Sequence, residues 1–194
     1  MPEPTVLQNR HVVLEPLSLS HVPALERAAT DGELWKLWYT SVPAPGAMRD
    51  YVEAALRAQA AGSALPFAVR DRRDDAIVGS TRLFGFDPQL PRAEIGYTWY
   101  AAGRQRSHVN TACKLLLLAH AFDALHCVAV QFCTDRYNSA SQRAIERLGA
   151  KRDGVLRAHR KRTDGSVRDS VVYSLTAAEW PDVRRLLESK LARG

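Results

Sequence analysis

The stretch from residue 94 to residue 150 restricts the fold of this chain more than any other part of its sequence. It contains, in order, a strand at 94–100, a loop, an apolar helix at 111–125, a buried strand at 126–134 and a helix at 139–148. Two strands joined through a whole helix lie parallel, with a right-handed crossover, because a parallel return needs about a dozen residues or more. The stretch therefore predicts a βαβα unit that the rest of the chain supports.

The flanking segments add strands through short connections, which favour antiparallel neighbours. Strand patterns occur at 11–17, 66–70, 76–86, 155–162 and 168–174, and the last two enclose the hairpin signal Asp164-Gly165. Helical patterns occur at 20–30, 48–62 and 178–193, and Asp31 is a good cap for a further short helix at 32–40. We expect one domain over residues 1–194, of the α/β (α+β mixed) class. Its sheet should be mixed, largely antiparallel and six- to seven-stranded, with helices on both faces.

Composition and charge restrict the classes of function that this chain can have. Of the 194 residues 46% are hydrophobic and 25% charged, as in an ordinary globular protein. No apolar run approaches the roughly 18 residues of a membrane span, and the first ten residues lack the apolar core of a signal peptide. We expect a cytoplasmic protein without a membrane partner. The three cysteines form no CxxC pair and suggest no metal site, whereas the net charge of +6 favours an anionic partner.

The crossover helix offers a place for an anion. A helix that starts at the end of a strand presents unpaired N–H groups and the positive end of its dipole. The preceding loop adds Arg104, Arg106, Ser107 and Asn110, all able to donate to phosphate oxygens. A solvated loop explains the same residues. For the second helix, Ser139 and Gln142 fit a capping box.

Several of these segments together resemble the GNAT acetyltransferase superfamily, in particular its RimJ/RimL-like branch of ribosomal-protein N-terminal acetyltransferases. The resemblance rests on EIGYTWY from Glu94, the Q-R-S-x-V-N-T loop from Gln105, Asn138, Ser141 and the helix end RLGA at 147–150. It continues through GVLRAHRKRTDGSVRDSVVYSLTAAEW to Trp180. The resemblance implies a GNAT-type sheet whose two central parallel strands splay apart.

The resemblance also implies acetyl-coenzyme A as co-substrate, bound in that splay and without a metal. The pantetheine would pair with Thr98, Trp99 and Tyr100. The pyrophosphate would meet the start of the crossover helix, and the second helix would add further contacts. The residues implied are Gln105, Arg106, Ser107, His108, Val109, Asn110, Thr111, Asn138, Ser141 and Arg147.

The implied reaction is direct attack of a primary amine on the thioester. Glu94 is the candidate base, often acting through water in related enzymes, although a structural carboxylate at a strand end explains it equally. Ser141 is either a donor to the thiolate or a coenzyme contact. Trp35, Trp38 and His159 are candidate substrate contacts, with core packing as the alternative for the tryptophans.

Two departures from the family pattern leave a second interpretation open. His108 stands where the family usually has glycine, so we expect strain there and weaker coenzyme binding. A degenerate protein that binds acyl-coenzyme A without turnover is the alternative. Arg160 stands where some ribosomal-protein-acetylating members have an acidic residue, which weakens the case for that substrate.

The basic segment HRKRTDGSVR at 159–168 bears on the partner. It could indicate nucleic-acid binding, but it fits an ordinary hairpin with a solvated face, so we expect no nucleic-acid partner. Its charge would repel a cationic acceptor and favours a neutral or acidic amine, either a small molecule or a peptide. A homodimer is compatible with the sequence.

Overall fold

Eight strands form one sheet in the part of the chain that the computed structural model describes, residues 3–87 and 89–193. Along the sheet they follow the order β1-β2-β3-β4-β5-β6-β8-β7. The strands are β1 (Leu7–Gln8), β2 (Val12–Pro16), β3 (Ala64–Asp71), β4 (Ala76–Asp87), β5 (Arg92–Tyr100), β6 (Ala129–Asp135), β7 (Lys151–Lys161) and β8 (Val167–Thr176). Met1, Pro2, Pro88 and Gly194, which belong to the predicted domain, lie outside the described residues.

The predicted class is confirmed, with one strand more than expected. Every neighbouring pair is antiparallel except β5 and β6, which are parallel across the helical crossover. The additional strand, β1, is two residues long, and alternation cannot be read from two residues.

Helices cover both faces of the sheet, and each face has its own apolar cluster. The helices α1 (Val22–Thr30) and α2 (Met48–Ala60) pack on one face. On the other face lie α3 (His108–Ala119), which continues into one π-helical turn, α4 (Ser139–Glu146) and α5 (Trp180–Arg193). None of the helices in the described residues is both long and apolar enough to cross a membrane.

Three helix predictions need correction. The helix expected after Asp31 is only a 3-10 turn, Leu34–Lys36, because Glu33 has a left-handed backbone (φ 48°) that interrupts a helix. The Asp31 carboxylate instead accepts a hydrogen bond from the Gly103 amide at 2.8 Å.

The crossover helix begins at residue 108, three residues before the predicted start, because Ser107 caps it. The cap of α4 is Asn138 and not Ser139: its Oδ1 accepts from the Ser141 amide at 3.0 Å. Gln142 closes no capping box, since its side chain donates to the carbonyl of Arg136.

The two central strands pair over three residues only. Arg92, Ala93 and Glu94 of β5 face Ala129, Val130 and Gln131 of β6, and beyond these pairs the strands separate. On its other edge β5 carries a bulge against β4, where Tyr97 adopts a left-handed backbone (φ 50°). The splay that the resemblance implied is therefore present.

Candidate functional site

A cavity of about 340 Å³ occupies the splay between β5 and β6. Its walls come from the ends of both strands, from the first turns of α3 and α4, and from the segment at 34–42 that connects α1 to α2. Because α3 and α4 lie on one face of the sheet and α1 and α2 on the other, the cavity can be reached by groups from both faces. We call the wall formed by α3 and α4 the helix side and the other wall the loop side.

The start of α3 presents donors to the cavity. Ser107 Oγ accepts from the Val109 amide at 3.3 Å, whereas the amides of His108 and Asn110 have no partner within the first turn of the helix. Gln105, Arg106 and Asn110 line the cavity. Thr111 is half-buried outside the lining and Val109 is packed in the apolar cluster. The predicted loop thus divides into cavity residues and core residues.

Two basic residues of this loop point elsewhere. Arg104 donates to Asp71 Oδ2 at 2.9 Å and also binds Asp74, so its charge is already paired. His108 Nε2 lies 3.2 Å from Asp71 Oδ1, and its side chain is 5% exposed. The left-handed residue of the loop is Arg106 (φ 58°) and not His108, so the strain predicted at His108 is absent.

The helix α4 and the residues that cap its two ends supply a second set of polar groups. Asn138, Ser141 and Arg147 line the cavity, as do Thr98, Trp99 and Tyr100 from the end of β5. The Asn138 carbonyl oxygen is used by its capping bond, while the Ser141 hydroxyl makes no side-chain hydrogen bond to the described residues. Six of the predicted coenzyme contacts therefore meet in one cavity with Gln105, Arg106 and Asn110.

Lys114 is a cavity residue that the sequence did not predict. It lies on α3, is 5% exposed, and donates to Thr98 Oγ1 at 2.8 Å, which in turn lies 2.8 Å from Thr81 Oγ1. It has no carboxylate within ion-pair distance in the described part of the chain. Burial lowers the pKa of Lys114 to about 8. The available signal was a single formal charge in an otherwise apolar helix.

Glu94, the predicted base, is bound by Arg160 on both carboxylate oxygens. Arg160 Nη1 and Nη2 donate to Oε1 and Oε2 at 3.1 Å and 2.7 Å. The carboxylate is buried beside the Cys133 thiol, which lines the cavity, whereas Glu94 itself does not. The Glu94 carboxylate raises the pKa of Arg160 through this hydrogen bond, so the guanidinium stays charged. Arg160, which departs from the family pattern, thus forms an ion pair with Glu94, the predicted base.

None of the three predicted substrate contacts, Trp35, Trp38 and His159, lines the cavity. Trp38 is 49% exposed, with Tyr137 at 5.2 Å and the Arg162 guanidinium 4.7 Å from its ring centre. Trp35 is half-buried and outside the lining, as is His159, whose pKa is lowered by burial and by Arg160. Tyr39, Thr40, Ser41 and Val42 line the loop side instead.

The fold and this cavity agree with one family. The family model for an acetyltransferase (GNAT) domain matches residues 11–151. The chain therefore belongs to the GNAT acetyltransferase family, whose members use acetyl-coenzyme A, and it is an N-acetyltransferase.

Solved structures give the same result. A protein from T. thermophilus is 37% identical, with 98% of this chain and 99% of that chain covered and a TM-score of 0.87. A GCN5-related N-acetyltransferase from Brucella melitensis is 26% identical, with 98% and 86% covered and a TM-score of 0.87. Mycobacterium smegmatis RimJ, in complex with CoA-disulfide, is 21% identical over 96% and 95%, with a TM-score of 0.81, and shares the fold. No curated protein matched the sequence.

Proposed function

We propose that this enzyme transfers the acetyl group of acetyl-coenzyme A to a primary amine by direct attack, the acceptor being a peptide N-terminus, an amino acid or a small molecule. The observation that carries the proposal is the cavity at the splay. It combines two capped helix N-termini with Arg106, Lys114 and Arg147 on the helix side. Such a wall suits a polyphosphate-bearing ligand, because free helical N–H groups and cations favour anions.

The coenzyme would lie along the helix side. The unpaired edge of β5 at Thr98, Trp99 and Tyr100 offers backbone groups to the pantetheine amides. The amides at the start of α3, with Gln105 and Arg106, suit the pyrophosphate, and Asn138 and Arg147 flank it from α4. His108 contributes its backbone only, since its imidazole is held by Asp71.

Acetyl-coenzyme A supplies an activated acyl group as a thioester. The Ser141 hydroxyl lines the cavity without another side-chain partner, so it would contact the sulfur and donate to the departing thiolate. Glu94 receives the proton of the attacking amine through a water at the Cys133 side of the cavity, with Arg160 holding the carboxylate in place. The acceptor would approach from the loop side, past Trp38 and residues 39–42.

The test combines calorimetric titration with acetyl-coenzyme A and a thiol-release assay over a panel of amines. We expect binding and amine-dependent release. Glu94→Gln should lower kcat by about 10²–10⁴ with little change in coenzyme affinity. Ser141→Ala should lower kcat if the hydroxyl donates to the thiolate, and should only raise the dissociation constant if it is a contact.

Arg157→Gln, an exposed change on β7, serves as the control for altered net charge. Binding without release for any amine would overturn the enzymatic proposal in favour of an acyl-coenzyme A-binding protein. An unchanged kcat in Glu94→Gln would remove Glu94 from the mechanism and leave the activity standing.

A further inference from the structure

Arg168 is a cation of the cavity wall that has no counter-ion in the described part of the chain. It lies at the start of β8 and lines the cavity. Its Nε is buried without a hydrogen-bond partner, and no carboxylate of the described residues lies within ion-pair distance of it. A buried unpaired polar group is costly and is usually paired in native proteins. Arg168 therefore needs an explanation that the fold alone does not supply.

The two nearby carboxylates are already occupied. Both oxygens of Glu94 accept from Arg160, as described above. Asp135 accepts from Arg162 Nε at 2.7 Å and from the Tyr137 amide at 3.0 Å. Neither carboxylate forms a hydrogen bond or an ion pair with Arg168.

The sheet makes the placement of Arg168 more costly. Arg160 of β7 lies directly opposite Arg168 of β8 in the antiparallel register, so both side chains project from the same face. Like charges directly opposite each other destabilise a sheet. Burial, followed by the charge of Arg160, lowers the pKa of the Arg168 guanidinium. Arg168 is half-buried as a whole, and no ion pair within the described residues stabilises its charge.

The position of Arg168 identifies which ligand it would meet. The proposed coenzyme donors lie at the end of β5, in and just before the start of α3, and in and next to α4. Arg168 shares its face with Arg160, whose partner Glu94 is the proposed base. It therefore lies next to the proposed site of proton transfer and away from the start of α3. No carboxylate lines the cavity among the described residues, and the nearby Glu94 and Asp135 carboxylates are each paired with an arginine.

We propose that Arg168 binds an anionic group of the acceptor, a carboxylate or a phosphate carried by the same molecule as the reacting amine. The inference rests on the proposed acetyl transfer and specifies its substrate class. A guanidinium offers several N–H donors in a plane that matches both oxyanions. Binding of the anion supplies the missing counter-ion and places the amine near Glu94.

The experiment uses the full chain saturated with coenzyme A and compares ligands that differ only in the anion. Three pairs serve: β-alanine with its amide, O-phosphoethanolamine with ethanolamine, and an amidated Ala-Asp dipeptide with the Ala-Asn dipeptide. We expect at least one anion-bearing member to bind about 10- to 100-fold more tightly than its anion-free twin, as is typical of a charge-assisted contact. The pair that shows the preference distinguishes carboxylate from phosphate.

Arg168→Gln should abolish this preference by weakening the binding of the anion-bearing members, and it should not weaken the binding of the anion-free twins. Arg168→Lys should retain part of it, and Arg157→Gln, on the neighbouring strand, should retain all of it. Arg168→Gln should also melt no lower than the wild type, because it removes an uncompensated charge. A purely structural role for Arg168 predicts a lower melting temperature instead.

The absence of a preference in all three pairs, or a preference that survives in Arg168→Gln, would overturn the inference. Because these are binding measurements, they do not depend on turnover. If amines are acetylated without regard to charge, the inference fails and the proposed function stands. If the charged ligands bind but no thiol is released, the proposed function fails and the anion site stands.

Discussion

The two sides of the cavity differ in how their polar groups are satisfied. On the helix side the caps are local: Ser107 binds the amide two residues on, and Asn138 the amide three residues on. On the loop side the bonds are distant: Arg160 reaches Glu94 across 66 residues, and Arg162 reaches Asp135 across 27. The comparison shows why one wall can be inferred from neighbouring residues, whereas the other appears only once the sheet is assembled.

The largest change in the free energy of unfolding is expected at Asp71, where the helix side depends on a contact that is distant in sequence. Asp71 is fully buried and binds Arg104 and His108 from behind the start of α3. Asp71→Ala should lower the free energy of unfolding by about 3–5 kcal/mol, because it leaves a cation without its buried partner. Urea denaturation measures this.

Asp74→Ala is the matched control, since Asp74 binds the same arginine from the surface and is 46% exposed at its side chain. It should cost less than about 1 kcal/mol. An equal loss of unfolding free energy in the two variants would show that the burial of Asp71 does not matter. The helix side would then depend on local contacts only.

Replacement of Lys114 should raise the free energy of unfolding, whereas replacement of Asp71 should lower it. Burial holds its pKa at about 8, below the 10.5 of an unperturbed lysine. Between these values the unfolded chain binds more protons, so the stability of the wild type rises with pH across that window, while below pH 8 the penalty is constant. Lys114→Met should therefore raise the free energy of unfolding by about 1–3 kcal/mol at pH 7.

The gap between Lys114→Met and the wild type should shrink as the pH approaches 10, and the variant should bind coenzyme A more weakly. Lys161→Met, at an exposed position of β7, is the control and should show neither effect. A constant gap from pH 7 to pH 10 would contradict the assignment. Denaturation at a series of pH values, with calorimetry at pH 7, makes the measurement.

The two caps offer a smaller and more symmetrical test of the helix side. Ser107→Ala and Asn138→Ala should each cost about 1 kcal/mol of unfolding free energy, because each leaves an N-terminal amide without its acceptor. Chemical denaturation is sufficient. A loss above about 2 kcal/mol for either would indicate that the side chain also makes contacts beyond its own helix.

The smallest effect is expected for Trp38 on the loop side. Trp38 is half-exposed and contacts Tyr137 and Arg162, so it should contribute less than about 1 kcal/mol to the free energy of unfolding. Trp38→Ala should raise the KM for the amine and leave the coenzyme dissociation constant unchanged. If coenzyme binding weakens instead, Trp38 belongs functionally to the other wall.

Features set by local sequence could be predicted, whereas features set by distant contacts could not. The crossover and the hairpin at Asp164-Gly165 follow from periodicity and turn residues, and they are present. Anion binding at the start of α3 stays a prediction. The prediction of a helix after Asp31 was wrong. The Asp31 carboxylate accepts a hydrogen bond from Gly103, 72 residues away, and no local pattern reveals such a contact. Arg104, Lys114 and Arg168 resemble other basic residues in the sequence, and only their partners, or the lack of them, distinguish them.

The short contact between β5 and β6 has a mechanical consequence. In the described residues, three residue pairs and the bond from the Val128 amide to the Pro91 carbonyl join the half-sheet β1–β5 to the half-sheet β6–β8 along this line, with the packed helices bridging the rest. A molecule that hydrogen-bonds to the open edge of β5 would act there as a missing strand. We expect the amide hydrogens of residues 95–100 that face β6, and not those bonded to β4, to exchange rapidly with solvent in the free enzyme and to become protected when coenzyme A is bound.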